Sequence, residues 1–101
     1  MASRLNLHNE LIKMLGTNNV YYQPPESIKM KYPAIVYSKS NIRSTFANDS
    51  RYFAKNRYEL IVISNKPDDP VVDKLLSLQY CSFDRHYTSD NLNHDAFTLY
   101  Y

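Results

Sequence analysis

Two histidines flank the last turn predicted in the chain, and each has an aspartate close to it. Asp84 precedes His86 by two positions, and Asp95 follows His94 directly. Histidine and aspartate are common ligands of zinc and other divalent metals. On predicted strands, Asp84 and His86 would share one face, whereas His94 and Asp95 would point to opposite faces. Because this spacing brings no three ligands together, we expect surface histidines and no metal site.

Cys81 is the only cysteine of the chain, so an intramolecular disulfide is impossible. A histidine and an aspartate lie near it in sequence, which raises the possibility of a thiol nucleophile. Such a nucleophile needs a lowered pKa and a base within hydrogen-bonding reach. No predicted helix N-terminus lies beneath Cys81, and a small apolar strand residue is the more common role of a cysteine. We therefore expect Cys81 to be structural.

The densest acidic run contains Asp68, Asp69 and Asp73. Helix capping and the helix dipole explain the first two, and a paired-carboxylate acid–base site would need a second cluster that the sequence does not identify. Gly16 is the only glycine, which excludes a glycine-rich phosphate-binding loop. The sequence therefore predicts no catalytic residue, no cofactor and no metal, and a protein that is not an enzyme.

Basic residues are concentrated in the middle of the chain. Lys55 and Arg57 lie two positions apart on a predicted strand and would share a face, close to Tyr52, Phe53 and Tyr58. A sheet face that combines cations and aromatic rings can bind single-stranded nucleic acid. The net charge of +2 is weak for a dedicated nucleic-acid-binding protein, and a solvated outer face has the same composition. A small nucleic-acid-binding module remains an alternative function.

A single domain over residues 1–101 must position these residues, because 101 residues are too few for two domains. Hydrophobic residues make up 44% and charged residues 22%, which is typical of a folded soluble protein. No apolar run approaches the roughly 20 residues of a membrane span, so we expect no membrane association. The ten tyrosines favour strands that are half-buried or that meet a partner.

Two segments have the apolar spacing of amphipathic helices. The first is predicted over residues 4–15 and ends before Gly16. The second is predicted over residues 70–79, with Asp69 as its N-cap and Pro70 as its first residue. Both should bury one face against a sheet.

Five strands are predicted from apolar and alternating segments, at residues 20–22, 34–37, 52–64, 80–88 and 94–101. The last two should form a hairpin through the turn residues 89–93. The resulting order, α-β-β-β-α-β-β, predicts an α+β fold: a mostly antiparallel sheet with two helices packed on one face. The predicted core consists of Leu11, Leu15, Ile35, Tyr58, Leu60, Val62, Leu75 and Phe97.

The stretch 41–51 is polar and longer than a tight hairpin needs, which predicts a loop with a function. Apolar side chains occur in it among polar ones, and the next strand begins with aromatic residues and arginine, which are enriched at interface hot spots. A mobile solvent-exposed loop is the alternative. The predicted interface residues are Ile42, Arg43, Phe46, Arg51, Tyr52, Phe53 and Arg57.

The order of these segments resembles the tail-terminator (tail-completion) family of long-tailed bacteriophages. The resemblance is carried by the leading helix, residues 21–25 (YYQPP), residues 32–37 (YPAIVY) and residues 57–63 (RYELIVI) before the second helix. Residues 78–101 resemble small minor tail proteins of phages and prophages. The resemblance extends over nearly the whole chain.

This resemblance implies a structural virion protein in the tail or neck, assembled in the cytoplasm of the bacterial host. The family implies a hexameric ring that caps the tail tube, stops the addition of tube subunits and meets the head-completion or connector protein. Double-stranded DNA would pass through the ring on ejection, and the family has no catalytic residues. The remaining alternatives are another neck protein, such as a head-completion stopper, and a small nucleic-acid- or protein-binding module.

Overall fold

The computed structural model describes residues 4–25, 27–47, 50–66 and 69–101. For residues 40–47 and 50–55 it describes the backbone alone. Within these residues the chain has the predicted element order. None of the helices in this part of the chain is long and apolar enough to cross a lipid bilayer. The elements are α1 (Arg4–Leu15), β1 (Val20–Tyr22), β2 (Ala34–Ala47), β3 (Ser50–Ser64), α2 (Pro70–Leu76), β4 (Cys81–Ser89) and β5 (Leu92–Tyr100).

The helix termini follow the predicted capping chemistry. Gly16 ends α1 with a φ of 83°, and its N–H donates to the carbonyl of Ile12 at 2.9 Å. Asp69 caps α2 by accepting a hydrogen bond from the Val71 N–H at 3.0 Å. The predicted end of α2 near residue 79 is wrong, because the helix ends at Leu76. Ser77 caps it and donates its hydroxyl to the carbonyl of Lys74 at 2.6 Å, which competes with further helical hydrogen bonds.

The five strands form one sheet in the order β1-β2-β3-β5-β4. β1 is parallel to β2, and the other neighbours are antiparallel. Asp90 and Asn91 connect β4 to β5 with φ values of 53° and 62°, a geometry that both residue types tolerate and that matches a two-residue hairpin turn. The turn is therefore shorter than the predicted 89–93, and both strands extend closer to it.

One face of the sheet and both helices enclose a single core, as the sequence predicts. Seven of the eight predicted core residues are buried in it, whereas Leu15 is only partly buried and packs against its border. The core cluster consists of Leu7, Leu11, Val20, Ile35, Tyr37, Tyr58, Leu60, Val62, Val71, Leu75, Phe97 and Leu99.

A polar contact beneath α1 fixes this helix to β2. Tyr37 is 1% exposed, and its hydroxyl lies 2.7 Å from His8 Nδ1 and accepts a hydrogen bond from Arg4 Nη1 at 3.3 Å. Arg4 also lies over the ring of Tyr22, 4.3 Å from its centre. Burial raises the pKa of the Tyr37 hydroxyl, and burial together with the Arg4 charge lowers the pKa of His8. The polar end of a buried tyrosine is thus satisfied by two residues of α1.

Leu60→Ala should destabilise the domain by about 2–5 kcal/mol, because Leu60 is fully buried and its truncation leaves a cavity. Leu5→Ala is the matched control, since Leu5 is 61% exposed on α1, and it should change the free energy of unfolding by less than about 0.5 kcal/mol. Urea denaturation measures both values. Equal effects of the two substitutions would contradict the burial assigned to β3.

Candidate functional site

The predicted interface residues lie on two long strands, and the prediction of a loop at 41–51 is wrong. β2 continues to Ala47, and β3 already begins at Ser50. Backbone pairing between Asn56 and Tyr101 marks the last contact of β3 with the C-terminal strand. Among the residues that the structure describes, residues 43–47 and 50–55 pair only with each other, and Ile42 pairs with Asn56. We call this two-stranded extension the β2–β3 arm.

The strand register places the predicted interface residues along the arm. Phe46 pairs with Arg51, and Arg43 pairs with Lys55. Arg57 lies at the base of the arm, half-buried, between Asn41 on β2 and Tyr100 on β5. Ile42, Tyr52 and Phe53 also belong to the arm by their strand positions. The structure therefore brings six of the seven predicted interface residues onto the arm and places Arg57 at its base.

A signal for the arm was present in the sequence. Residues 51–53 combine strand-favouring aromatic residues with arginine. Asn48 and Asp49 are residue types typical of two-residue hairpin connections. Both lie outside the described residues. The polar composition of residues 41–51 favours a loop, because the segment has no continuous hydrophobic period.

A groove of about 540 Å³ lies between α2 and β4, on the helix-covered face of the sheet. The sequence did not predict it. Leu76 and Phe83 line it and are each 45% exposed, although the Phe83 ring also packs edge-on against Phe97 at 5.5 Å. The available signal was the breadth of the apolar face of α2, which includes Val72 and Leu76 beside the two fully buried positions. The groove is lined by Asp69, Val72, Asp73, Leu76, Phe83, His86 and Asp95.

His86 and Asp95 form a pair in this groove, with Nδ1 of the histidine 2.6 Å from Oδ1 of the aspartate. A shift in the β4–β5 register between Phe83 and Arg85 produces this contact. The extra residue turns His86 to the same face as Phe83, whereas the predicted face sharing of Asp84 and His86 is wrong. Asp84 instead accepts a hydrogen bond from the Thr98 hydroxyl at 2.7 Å.

His94, the other histidine considered as a metal ligand, lies away from this pair. Its ring stacks on that of Tyr87, with centroids 4.8 Å apart and an interplanar angle of 15°. His94 and Asp95 thus face opposite ways, as expected for neighbours on a strand. In the described part of the chain, no three histidine, cysteine, aspartate or glutamate side chains form a group that could hold a metal ion.

Comparison with known proteins gives no family assignment. No protein-family model matches the sequence, and no curated protein matches it. The chemistry of the site therefore rests on its own geometry.

His86 and Asp95 are the groove side chains with the geometry of an acid–base pair. Asp95 is 9% exposed and can orient the imidazole of His86, as a general base requires. However, the described residues that line the groove include no serine, threonine or cysteine. Burial, and to a smaller extent the charge of Asp84, raises the pKa of the Cys81 thiol from 9.0 to about 11, so this thiol is protonated at neutral pH.

Strand β4 forms the border of the groove and of the sheet. It pairs with β5 on one side, and no described strand pairs with its other side. Most of its side chains are exposed. An edge strand with open backbone donors and acceptors can accept a further strand from another chain. The groove and this edge together form a concave, partly apolar surface with carboxylates at its border.

The thiol of Cys81 should react slowly with iodoacetamide at pH 8. A pKa of about 11 in place of 9.0 lowers the thiolate fraction about 100-fold, and the thiolate is the reactive species. The chain unfolded in urea is the control and should react at the rate of an ordinary cysteine.

The raised pKa of Cys81 should also make the free energy of unfolding depend on pH. Folding raises the pKa of the Cys81 thiol. The contribution of this thiol to the free energy of unfolding is therefore complete below pH 9.0 and is lost as the pH rises through about 11. Alkylation of the folded chain as fast as the unfolded chain would contradict this environment for Cys81.

Proposed function

We propose that this protein is a structural subunit of the tail-terminator type in a long-tailed bacteriophage. It forms a ring at the head-proximal end of the tail, stops polymerisation of the tail tube and joins the tail to the head-completion or connector protein. Double-stranded DNA passes through the ring on ejection. The protein is assembled in the bacterial cytoplasm and resides in the tail or neck of the virion. It is not an enzyme and needs no cofactor.

The β2–β3 arm is the observation that carries this proposal. The core of the domain lies within the five-stranded part of the sheet, and six residues of each arm strand continue beyond it, a distance of about 20 Å. An isolated two-stranded hairpin is at best marginally stable in water. The arm therefore contributes little to an isolated monomer, and it supports a function that depends on contact with other chains.

The composition of the arm supports protein contacts in particular. Ile42, Phe46, Tyr52 and Phe53 supply apolar and aromatic residues to the two arm strands. Aromatic residues and arginine are enriched at the centres of protein interfaces. A second copy of the chain, the tube protein and the connector protein are the proposed partners. The resemblance of the element order to the terminator family adds the ring and its place in the tail to this proposal.

A nucleic-acid-binding module is the second candidate, favoured by the cationic residues of the arm. The predicted cation–aromatic face is weakened, however, because Tyr58 is 1% exposed and cannot stack on a base. Arg57 and Tyr58 are neighbours on a strand and lie on opposite faces of the sheet. Tight binding of a single-stranded oligonucleotide at physiological salt would favour this module over the ring.

Phe46→Ser combined with Arg51→Ser should abolish ring formation and tail capping without unfolding the domain. The two residues are cross-strand partners in the arm. Native mass spectrometry and electron microscopy of tails provide the readouts, and tubes should exceed their normal length when this variant replaces the wild type in a phage that encodes the protein.

Ile28→Ser combined with Lys29→Ser is the matched control, because both residues are exposed in the loop before β2. It should leave rings and tail length unchanged. If tails form normally with the arm variant, the arm is not part of the interface. Normal tails in the complete absence of the protein would overturn the proposed function.

A further inference from the structure

We propose that the groove between α2 and β4 receives the β2–β3 arm of a second copy of this chain. This inference rests on the proposed ring function and names the contact that builds it. The arm lies along the open edge of β4, adds its backbone to the sheet there and places apolar and basic side chains into the groove.

The apolar part of the groove gives the first argument. Leu76 and Phe83 line it, and each is 45% exposed. Single exposed apolar side chains are common on soluble proteins, but these lie around one concavity beside an open strand edge. The combination suits an extended segment that adds a strand and inserts alternate side chains.

Charge gives the second argument and identifies the occupant. Asp69, Asp73 and Asp95 line the groove. The arm, at residues 42–47 and 50–55, contains Arg43, Arg51 and Lys55 and no aspartate or glutamate. The two surfaces of the same chain are therefore complementary in sign, which favours association between copies.

Strand register gives the third argument. Arg43 and Lys55 are direct cross-strand partners in the arm. Like charges directly opposite each other destabilise a strand pair. Carboxylates of a neighbouring copy relieve this repulsion, so the arm is more stable when docked than when free.

The strand order indicates that the arm contacts the groove of another copy. The same contact can then repeat from copy to copy in one direction. The arm continues β2 and β3, and β5 separates these strands from β4. An arm that leaves the sheet at this position extends away from the groove of its own chain. Since arm and groove are different surfaces, each copy offers one of each, and such a head-to-tail contact closes into a ring when the rotation between neighbours permits.

A charge-swap mixture tests the contact. One variant carries Asp73→Lys and Leu76→Lys in the groove, where both residues are exposed on α2. The other carries Arg43→Glu and Lys55→Glu in the arm. Each variant alone should self-associate more than about 100-fold more weakly than the wild type, because like charges then face each other. An equal mixture should recover association, because copies that alternate around the ring pair every arm with a groove of opposite sign.

Sedimentation equilibrium and native mass spectrometry measure the assembly, and Glu10→Lys is the control, since Glu10 is exposed on α1 outside the groove. The control should associate like the wild type. Overturning results are a wild-type chain that stays monomeric, single variants that associate normally, or a mixture that fails to recover. If the variants assemble normally and tails keep their length, this docking site is wrong while the ring stands. If tail length does not depend on the protein, the proposed function fails whatever the copies do.

Discussion

Strand β3 is the constraint on which the rest of the structure depends. It lies between β2 and β5, and its inward residues Tyr58, Leu60 and Val62 are each at most 1% exposed. Both helices bury their apolar faces against the layer that these residues define. A domain of 101 residues can bury only a modest core, so this layer takes both helices. The arm, the edge of β4 and the other sheet face receive no helical cover in the described part of the chain.

The groove follows from a mismatch in length between two elements. Helix α2 has seven residues and is about 10 Å long, whereas β4 has nine residues and is about 30 Å long. The helix begins at Pro70, directly after its N-cap Asp69, and ends before its C-cap Ser77. It therefore covers only part of β4, and Phe83 stays half-exposed at the border of the core. A longer α2, as the sequence suggested, would have filled this space.

The small net charge of the chain conceals a separation of signs. The value of +2 is the balance of 12 basic and 10 acidic residues over the whole chain, of which three basic residues lie in the arm and three aspartates line the groove. Within the arm, Arg43 and Lys55 are cross-strand partners of like charge. Within the groove, Asp95 is paired with His86, and Asp69 is committed to capping α2, which leaves the exposed Asp73 best placed to meet an incoming cation.

The sequence by itself determined the element order, the α+β class and most of the core. These features depend on local periodicity and capping, which residues such as Leu11, Gly16, Asp69 and Leu60 express within a few positions of the chain. Helix α1 was predicted with its observed limits for this reason. The inner face of β3 was predicted because its alternation is continuous.

Only the tertiary structure decided the arm, the groove and the His86–Asp95 pair. Residues 41–47 show no hydrophobic period in the sequence, so a strand there is not distinguished from a polar loop. The pair depends on a register shift of one residue between Phe83 and Arg85, which reverses the face of every later residue of β4. The groove depends on where α2 ends relative to β4. A single-residue register shift and the spacing of two packed elements are set by long-range contacts, and these leave no local pattern in the sequence.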